Sequence, residues 1–279
     1  VRGATSAPTE RVLDVLELLA QPGQESARFS DIVGALELTQ ATAHAILKTL
    51  CDRGWLIRDS VDKTFALGPV LAVIAARTDA TRPLAHAARL AAKELSEQLG
   101  YPASVVERVD DELVITAFEG GGSAGVPGDR IRYAPPFGVA FAAWDSEAGQ
   151  REWMARAPSA VDGLSERLEQ VLNQTRQRGY DVDWTTPELT RAAQVVGTLP
   201  SDGLPEHVRG ITDQLLAEFT TMGLQQSGVH PVATIAAPVL DEHRRVARIL
   251  AVHPLRPMTA RQVETVGLRV MRAAHRLGV

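Results

Sequence analysis

One cysteine in 279 residues, Cys51, excludes an internal disulfide and suits a reducing compartment. Aromatic residues make up only 5% of the chain, so any place where they cluster carries information. No apolar run approaches the roughly 18–20 residues needed to span a bilayer. The opening stretch VRGATSAPTERVLDVLELLA is broken by charge, unlike a signal-peptide core. A cytoplasmic protein without membrane attachment is expected. Positive charge is also in short supply. The net charge is −5, and residues 1–70 hold seven Lys/Arg against nine Asp/Glu. Bulk attraction to a polyanion is thereby excluded, so any nucleic-acid contact must depend on where single charges lie.

What is present is ordinary globular composition, 45% hydrophobic and 23% charged, in a chain long enough for two domains. Val12, Val15, Leu16 and Leu19 recur at the helical period, and QPGQ ends that pattern. Ser30 is placed to cap a second helix with Ile32, Val33 and Leu36 on one side. Thr39 is placed to cap a third, whose apolar stripe is Ala43, Ile46, Leu47 and Leu50. GWLIRDSVDKTFALG then alternates, turns and alternates again, which predicts a β-hairpin.

Helix, helix-turn-helix and hairpin make a winged helix. The third helix turns outward a face of Gln40, Ala41, Thr42, His44, Ala45 and Lys48, with few charges and mostly small side chains. Small residues let a helix backbone enter the major groove, where alanine can meet a thymine methyl. Gln40 and His44 can reach base edges and Lys48 a phosphate. Arg58 and Lys63 are the cations of the wing. A winged helix that docks a protein instead of DNA is the alternative.

RVLDVLELLA, FSDIVGALELTQATAHAILKTLCDRGWLIRD and FALGPVLAVIAAR resemble the N-terminal domain of the IclR family of bacterial transcriptional regulators, including Leu67-Gly68 after the wing. The resemblance implies an arginine where this chain has Ala45. RGYDVD and IAAPVLDEHRRVARILAV resemble the family's GAF-like effector domain. It thus implies an α+β protein: a DNA-binding winged helix-turn-helix at 1–69, a linker helix at 70–80, and an effector-binding domain with an antiparallel sheet at 81–279.

The residues of the second half agree with that division. VLAVIAAR reads as a short helix broken by TDATRP, and LAHAARLAAKELSEQLG as a long alanine-rich one. ASVVERV, ELVITAF and RIRYA are predicted strands, and GLSERLEQVLNQTRQRG a helix closed by Gly179. VATIAAPVL and VARILAVHPL flank the turn DEHRR, and Thr259 caps a last helix carrying Val263, Val266 and Val270. Strand pairs with helices to one side are expected. Residues 185–228, including LPEHVRGITDQLLAEF, are an insertion relative to the family pattern.

The stretch GGGSAG holds G-x-S-x-G and G-x-G-x-x-G matches, but VPGDRIRY predicts a turn and strand where both chemistries need a helix. A hydrolase using Ser123 therefore lacks its elbow and base, and no catalytic residue is assigned. His230, His243 and His253 show no metal-ligand spacing, so neither metal nor cofactor is expected. IRYAPPFGVAFAAW is different. Tyr133, Pro136, Phe137, Gly138, Phe141 and Trp144 bring scarce aromatics to a strand-to-helix junction, as a small-molecule pocket would, with plain core packing as the alternative. Its helix start favours a ligand with an acidic or carbonyl end. The expected partners are operator DNA, a small organic effector and a second copy of the chain, with a homotetramer as the larger alternative.

Overall fold

The computed structural model describes residues 6–21, 23–121, 125–157, 163–186 and 228–278. The chain divides into two compact units, Val1–Pro83 and Leu84–Val279.

In the first unit, α1 (Ala7–Leu19), α2 (Phe29–Ala35) and α3 (Gln40–Asp52) pack with a three-stranded sheet. Its strands β1 (Ala27–Arg28), β2 (Leu56–Arg58) and β3 (Thr64–Leu67) run in the order β1-β3-β2, with β3 antiparallel to both neighbours. Val15, Leu19, Ile32, Leu47, Leu50, Leu56 and Phe65 form the core, so the predicted helical stripes and hairpin are present. Strand β1 was not foreseen, and it moves a cap. Because β1 runs straight into α2, Arg28 takes the N-cap position and its N–H donates to the Asp31 carboxylate at 3.3 Å. Ser30 lies inside the first turn. Thr39 does cap α3, its Oγ1 accepting the Thr42 N–H at 3.2 Å.

Helix α4 (Pro69–Thr81) continues through the stretch expected to break it and stops only at Arg82, before Pro83. Proline disfavours helical backbone in the residue before it, whereas α5 (Pro83–Leu99) begins on that same proline, where its missing N–H costs nothing.

The second unit is built on an antiparallel sheet of order β6-β5-β4-β10-β9-β7. Its strands are β4 (Ala103–Val109), β5 (Glu112–Glu119), β6 (Arg130–Arg132), β7 (Asp181–Asp183), β9 (Thr234–Leu240) and β10 (Val246–Val252). Strands β8 (Val229–Val232) and β11 (Arg256–Thr259) pair separately. Helices cover both faces of the large sheet, contrary to the one-sided expectation. Along β10, Leu250 and Val252 pack with α5 and with α9 (Ala260–Leu277), while Ile249 and Ala251 pack on the other face. That other face holds α6 (Val139–Ala142), α7 (Glu147–Ala155) and α8 (Leu164–Arg178). The reason is in β9 and β10, which are apolar at nearly every position and so need cover on both sides. Trp153 of α7 is fully buried there and donates from Nε1 to the Phe137 carbonyl at 2.9 Å.

Thr259 caps α9 with a capping box to Gln262, as its position predicted. The predicted helix within 204–219, most of the insertion, and Ser123 lie outside the described residues. After Gly125, the described chain turns and enters β6 without a helix.

Candidate nucleic-acid face and candidate ligand pocket

Gln40, Ala41, His44, Ala45 and Lys48 are exposed on one side of α3, opposite the buried Ala43, Leu47 and Leu50. Thr42 is only partly exposed, and its hydroxyl is 2.8 Å from that of Thr39, which makes it part of the cap. The one lysine of this face is not idle. Lys48 Nζ meets the Asp52 carboxylate at 2.6 Å, one turn further along the helix. Asp52 therefore screens the charge that a phosphate would need.

On the hairpin, the Arg58 guanidinium lies over the Phe65 ring at 5.6 Å. Lys63 is exposed and donates to the Ser60 carbonyl. The wing tip is organised by Asp59, whose carboxylate accepts the N–H groups of Asp62 and Val61, bonds that hold its pKa below the usual range. Cys51 is half-buried against the core, and burial pushes its thiol up, away from the reactive thiolate.

In the second unit, a hollow of about 140 Å³ opens on the face of the sheet covered by α6. Val106, Leu113, Ile115, Phe141 and Ile249 supply an apolar lining. Of the residues expected from sequence, Pro136, Phe137, Gly138 and Phe141 line it, while Tyr133 and Trp144 do not. Tyr133 lies behind Gly138, buried, with the Arg108 guanidinium 4.0 Å over its ring and that of Arg156 at 5.7 Å. Burial pushes its hydroxyl up to about 12. Trp144 packs against the core of this face. Gly138 has φ +85, and a Cβ there would meet the Tyr133 ring at 2.5 Å, so only glycine lets the chain turn this closely over the tyrosine. The helix it opens, α6, is a single turn of four residues. A dipole built from so few aligned peptides is weak, which removes the basis for expecting an acidic end there.

The polar end of the hollow comes instead from residues the sequence left scattered. His253 is held by two hydroxyls, with Ser104 Oγ 2.9 Å from Nε2 and Thr234 Oγ1 3.1 Å from Nδ1. Its ring stacks on Phe118 at 5.5 Å. Desolvation lowers its pKa to about 4, so it is a neutral imidazole with one donor and one acceptor nitrogen. Asp181 and Asp183 also line the hollow. Desolvation pushes Asp181 up to about 6, opposed by the nearby Arg178, and pushes Asp183 up against its hydrogen bonds from Thr185. The period-2 pattern of DVD hinted at one face. The pairing Asp183 to Thr234, which assembles the site, spans about fifty residues and left no local trace.

These shifts set a pH dependence. From about pH 4 to the ordinary imidazole value of 6.5, the unfolded chain holds a proton on His253 that the folded chain lacks, so this residue's contribution to stability rises with pH. Asp181 acts oppositely between its ordinary 3.8 and about 6, where the folded state holds the extra proton. His253→Gln should leave only the carboxylate slope, so its stability should fall more steeply across that window than the parent's. Matching urea-unfolding profiles for variant and parent would show that His253 is not held neutral.

Among the described residues, no group of three His, Cys, Asp or Glu side chains could hold a metal ion, and no helix is long and apolar enough to cross a membrane.

The model of the IclR helix-turn-helix domain matches residues 8–60. No curated protein matches the chain significantly. Solved structures resemble it over nearly its whole length. An IclR transcriptional regulator from Alicyclobacillus acidocaldarius is 18% identical, with a TM-score of 0.62 over 98% of both chains. An IclR homolog from Microbacterium hydrocarbonoxydans, solved with 4-hydroxybenzoate, is 18% identical, with a TM-score of 0.61 over 97% of both. The Thermotoga maritima IclR is 16% identical, with a TM-score of 0.56 over 97% of this chain and 98% of that one. The N-terminal unit thus carries an IclR-type helix-turn-helix domain, and the fold of the chain is that of the IclR regulators.

Proposed function

We propose that the chain is a ligand-responsive transcriptional regulator, binding operator DNA through its winged helix and a small organic effector in the hollow of its second unit. The observation that carries this is the exposed, small-residue face of α3 within a matched IclR helix-turn-helix domain. In this reading Gln40, Ala41, Thr42, His44, Ala45, Lys48, Arg58 and Lys63 face DNA. The functional division is 1–69 for DNA, 70–80 for the linker and 81–279 for the effector. An effector acts by favouring one arrangement of the protein over another, and operator affinity shifts by that difference. The aromatic ligand of the Microbacterium relative supports an organic effector without naming this one.

A gel-shift titration against the DNA upstream of the protein's own gene tests the reading. Retardation of that DNA, but not of unrelated DNA, is expected. Its absence would favour a winged helix that docks a protein. Lys48→Ala should reduce the salt slope of log K by about one unit if Lys48 meets a phosphate. Asp52→Asn should strengthen binding modestly at low salt, by about a few-fold, because it frees an exposed lysine from the neighbouring carboxylate. An unchanged affinity would show that Lys48 is already free of Asp52 on DNA. Replacing Gln40 or His44 should cost about 1–3 kcal/mol on the cognate site and less on random DNA.

Homodimerisation belongs to the same proposal. None of the described side chains of α4 is buried, and Val73 and Ile74 are 57% and 41% exposed. An apolar helix left open in one chain suits a second copy. Sedimentation at micromolar concentration should show a dimer, or a tetramer built from two. A monomer that still binds the operator tightly would contradict this.

A further inference from the structure

We infer that the hollow selects a compact, single-ring ligand ending in an amine cation, held at Asp183 with Asp181 beside it, and rejects the matching organic acid. This rests on the reading of the hollow as the effector site. Strand pairing places the two carboxylates. Asp181 and Asp183 stand two apart on the edge strand β7, opposite Ala236 and Thr234 of β9, and all four line the hollow. Asp183 therefore shares the polar end with Thr234, His253 and Ser104, while Phe141, Ile115 and Ile249 form the apolar walls.

The charges are one-sided. No lysine or arginine among the described residues lines the hollow. Arg178 of α8 acts on Asp181, but among the described residues no cation acts on Asp183. Buried charges in proteins are ordinarily paired, and a carboxylate facing a cavity without a cation is the partner an ammonium group would supply. Burial pushes both carboxyls up, which is the cost that such a ligand would relieve. The neutral His253 and the two hydroxyls on it add hydrogen bonds without countering the negative charge. A ligand carboxylate would add a third anion beside two partly buried carboxylates, a juxtaposition that weakens binding by roughly a hundredfold. The volume of about 140 Å³ sets the size. An apolar cavity of about 150 Å³ takes one benzene ring, so the hollow has room for one ring at most, and only its open side leaves space for a short arm.

Calorimetric titration of the full chain at neutral pH with phenethylamine, phenethyl alcohol and phenylacetate tests this, because the three share a body and differ at the end. Phenethylamine should bind at least about tenfold more tightly than the alcohol and about a hundredfold more tightly than the acid. Asp183→Asn keeps an oxygen for the Thr185 N–H and should erase the preference for amine over alcohol. If that variant does not fold, the ranking of the three probes on the parent protein decides alone. Phenylacetate binding as tightly as the amine, and lost in Ile115→Trp, would overturn the charge preference while leaving the hollow as the effector site. Binding of none of the three would overturn both.

Discussion

Glu107→Ala is expected to remove about 3–5 kcal/mol of stability from the second unit, the range found when one partner of a buried ion pair is deleted. Glu107 of β4 and Arg248 of β10 are 8% and 6% exposed, with Arg248 Nε 3.1 Å from Glu107 Oε1. Removing the carboxylate leaves a buried guanidinium on β10 without this charge partner. The double replacement Glu107→Leu with Arg248→Met should recover most of the loss, because it removes both desolvation costs together. The pair Arg130 and Glu112 is a control. It is shorter, at 2.6 Å, but 58% and 47% exposed, and Arg130→Ala should cost less than about 1 kcal/mol. Urea unfolding of the variants measures all three. A Glu107→Ala loss no larger than the Arg130→Ala loss would show that burial does not govern the pair.

Gly68→Ala should be nearly as damaging to the first unit, at about 3 kcal/mol, the upper end of ordinary overpacking. A Cβ on Gly68 would lie 2.3 Å from the Gly54 carbonyl oxygen and 2.7 Å from the Trp55 carbonyl carbon. These are backbone atoms that no rotamer change can move aside. The Gly68 N–H also donates to the Trp55 carbonyl at 2.7 Å, so the end of β3 is fastened to the turn after α3. Pushing them apart displaces the hairpin that carries Arg58 and Lys63. Operator affinity should therefore fall together with the melting temperature. Retention of parent stability in the alanine variant would mean that this close approach can relax.

Where periodicity and capping act over a few residues, the chain is legible. The stripes of α1 and α3, the caps Thr39 and Thr259, the stop of α8 at Gly179 and the β9–β10 hairpin all follow from neighbours within about one turn or one strand. The outward face of α3 was legible for the same reason, since a helix surface follows from its own spacing. Ser30 failed as a cap because a two-residue strand, paired with β3 almost forty residues away, took over the approach to α2.

The candidate pocket divides along the same line. Its apolar rim at Pro136, Phe137, Gly138 and Phe141 is one contiguous segment, visible as a cluster of scarce aromatics. Tyr133 and Trp144 belong to that segment too, but only packing could turn them into core. The polar end joins Ser104, Asp181, Asp183, Thr234 and His253 from four separate stretches of chain. Sheet pairing brings them together, and desolvation by the surrounding protein makes His253 neutral and raises both aspartates. The sequence by itself determined most of the elements and the exposed face of α3, because those depend on local period and capping. Only the tertiary structure decided the charge of the pocket, because strand register and burial are long-range.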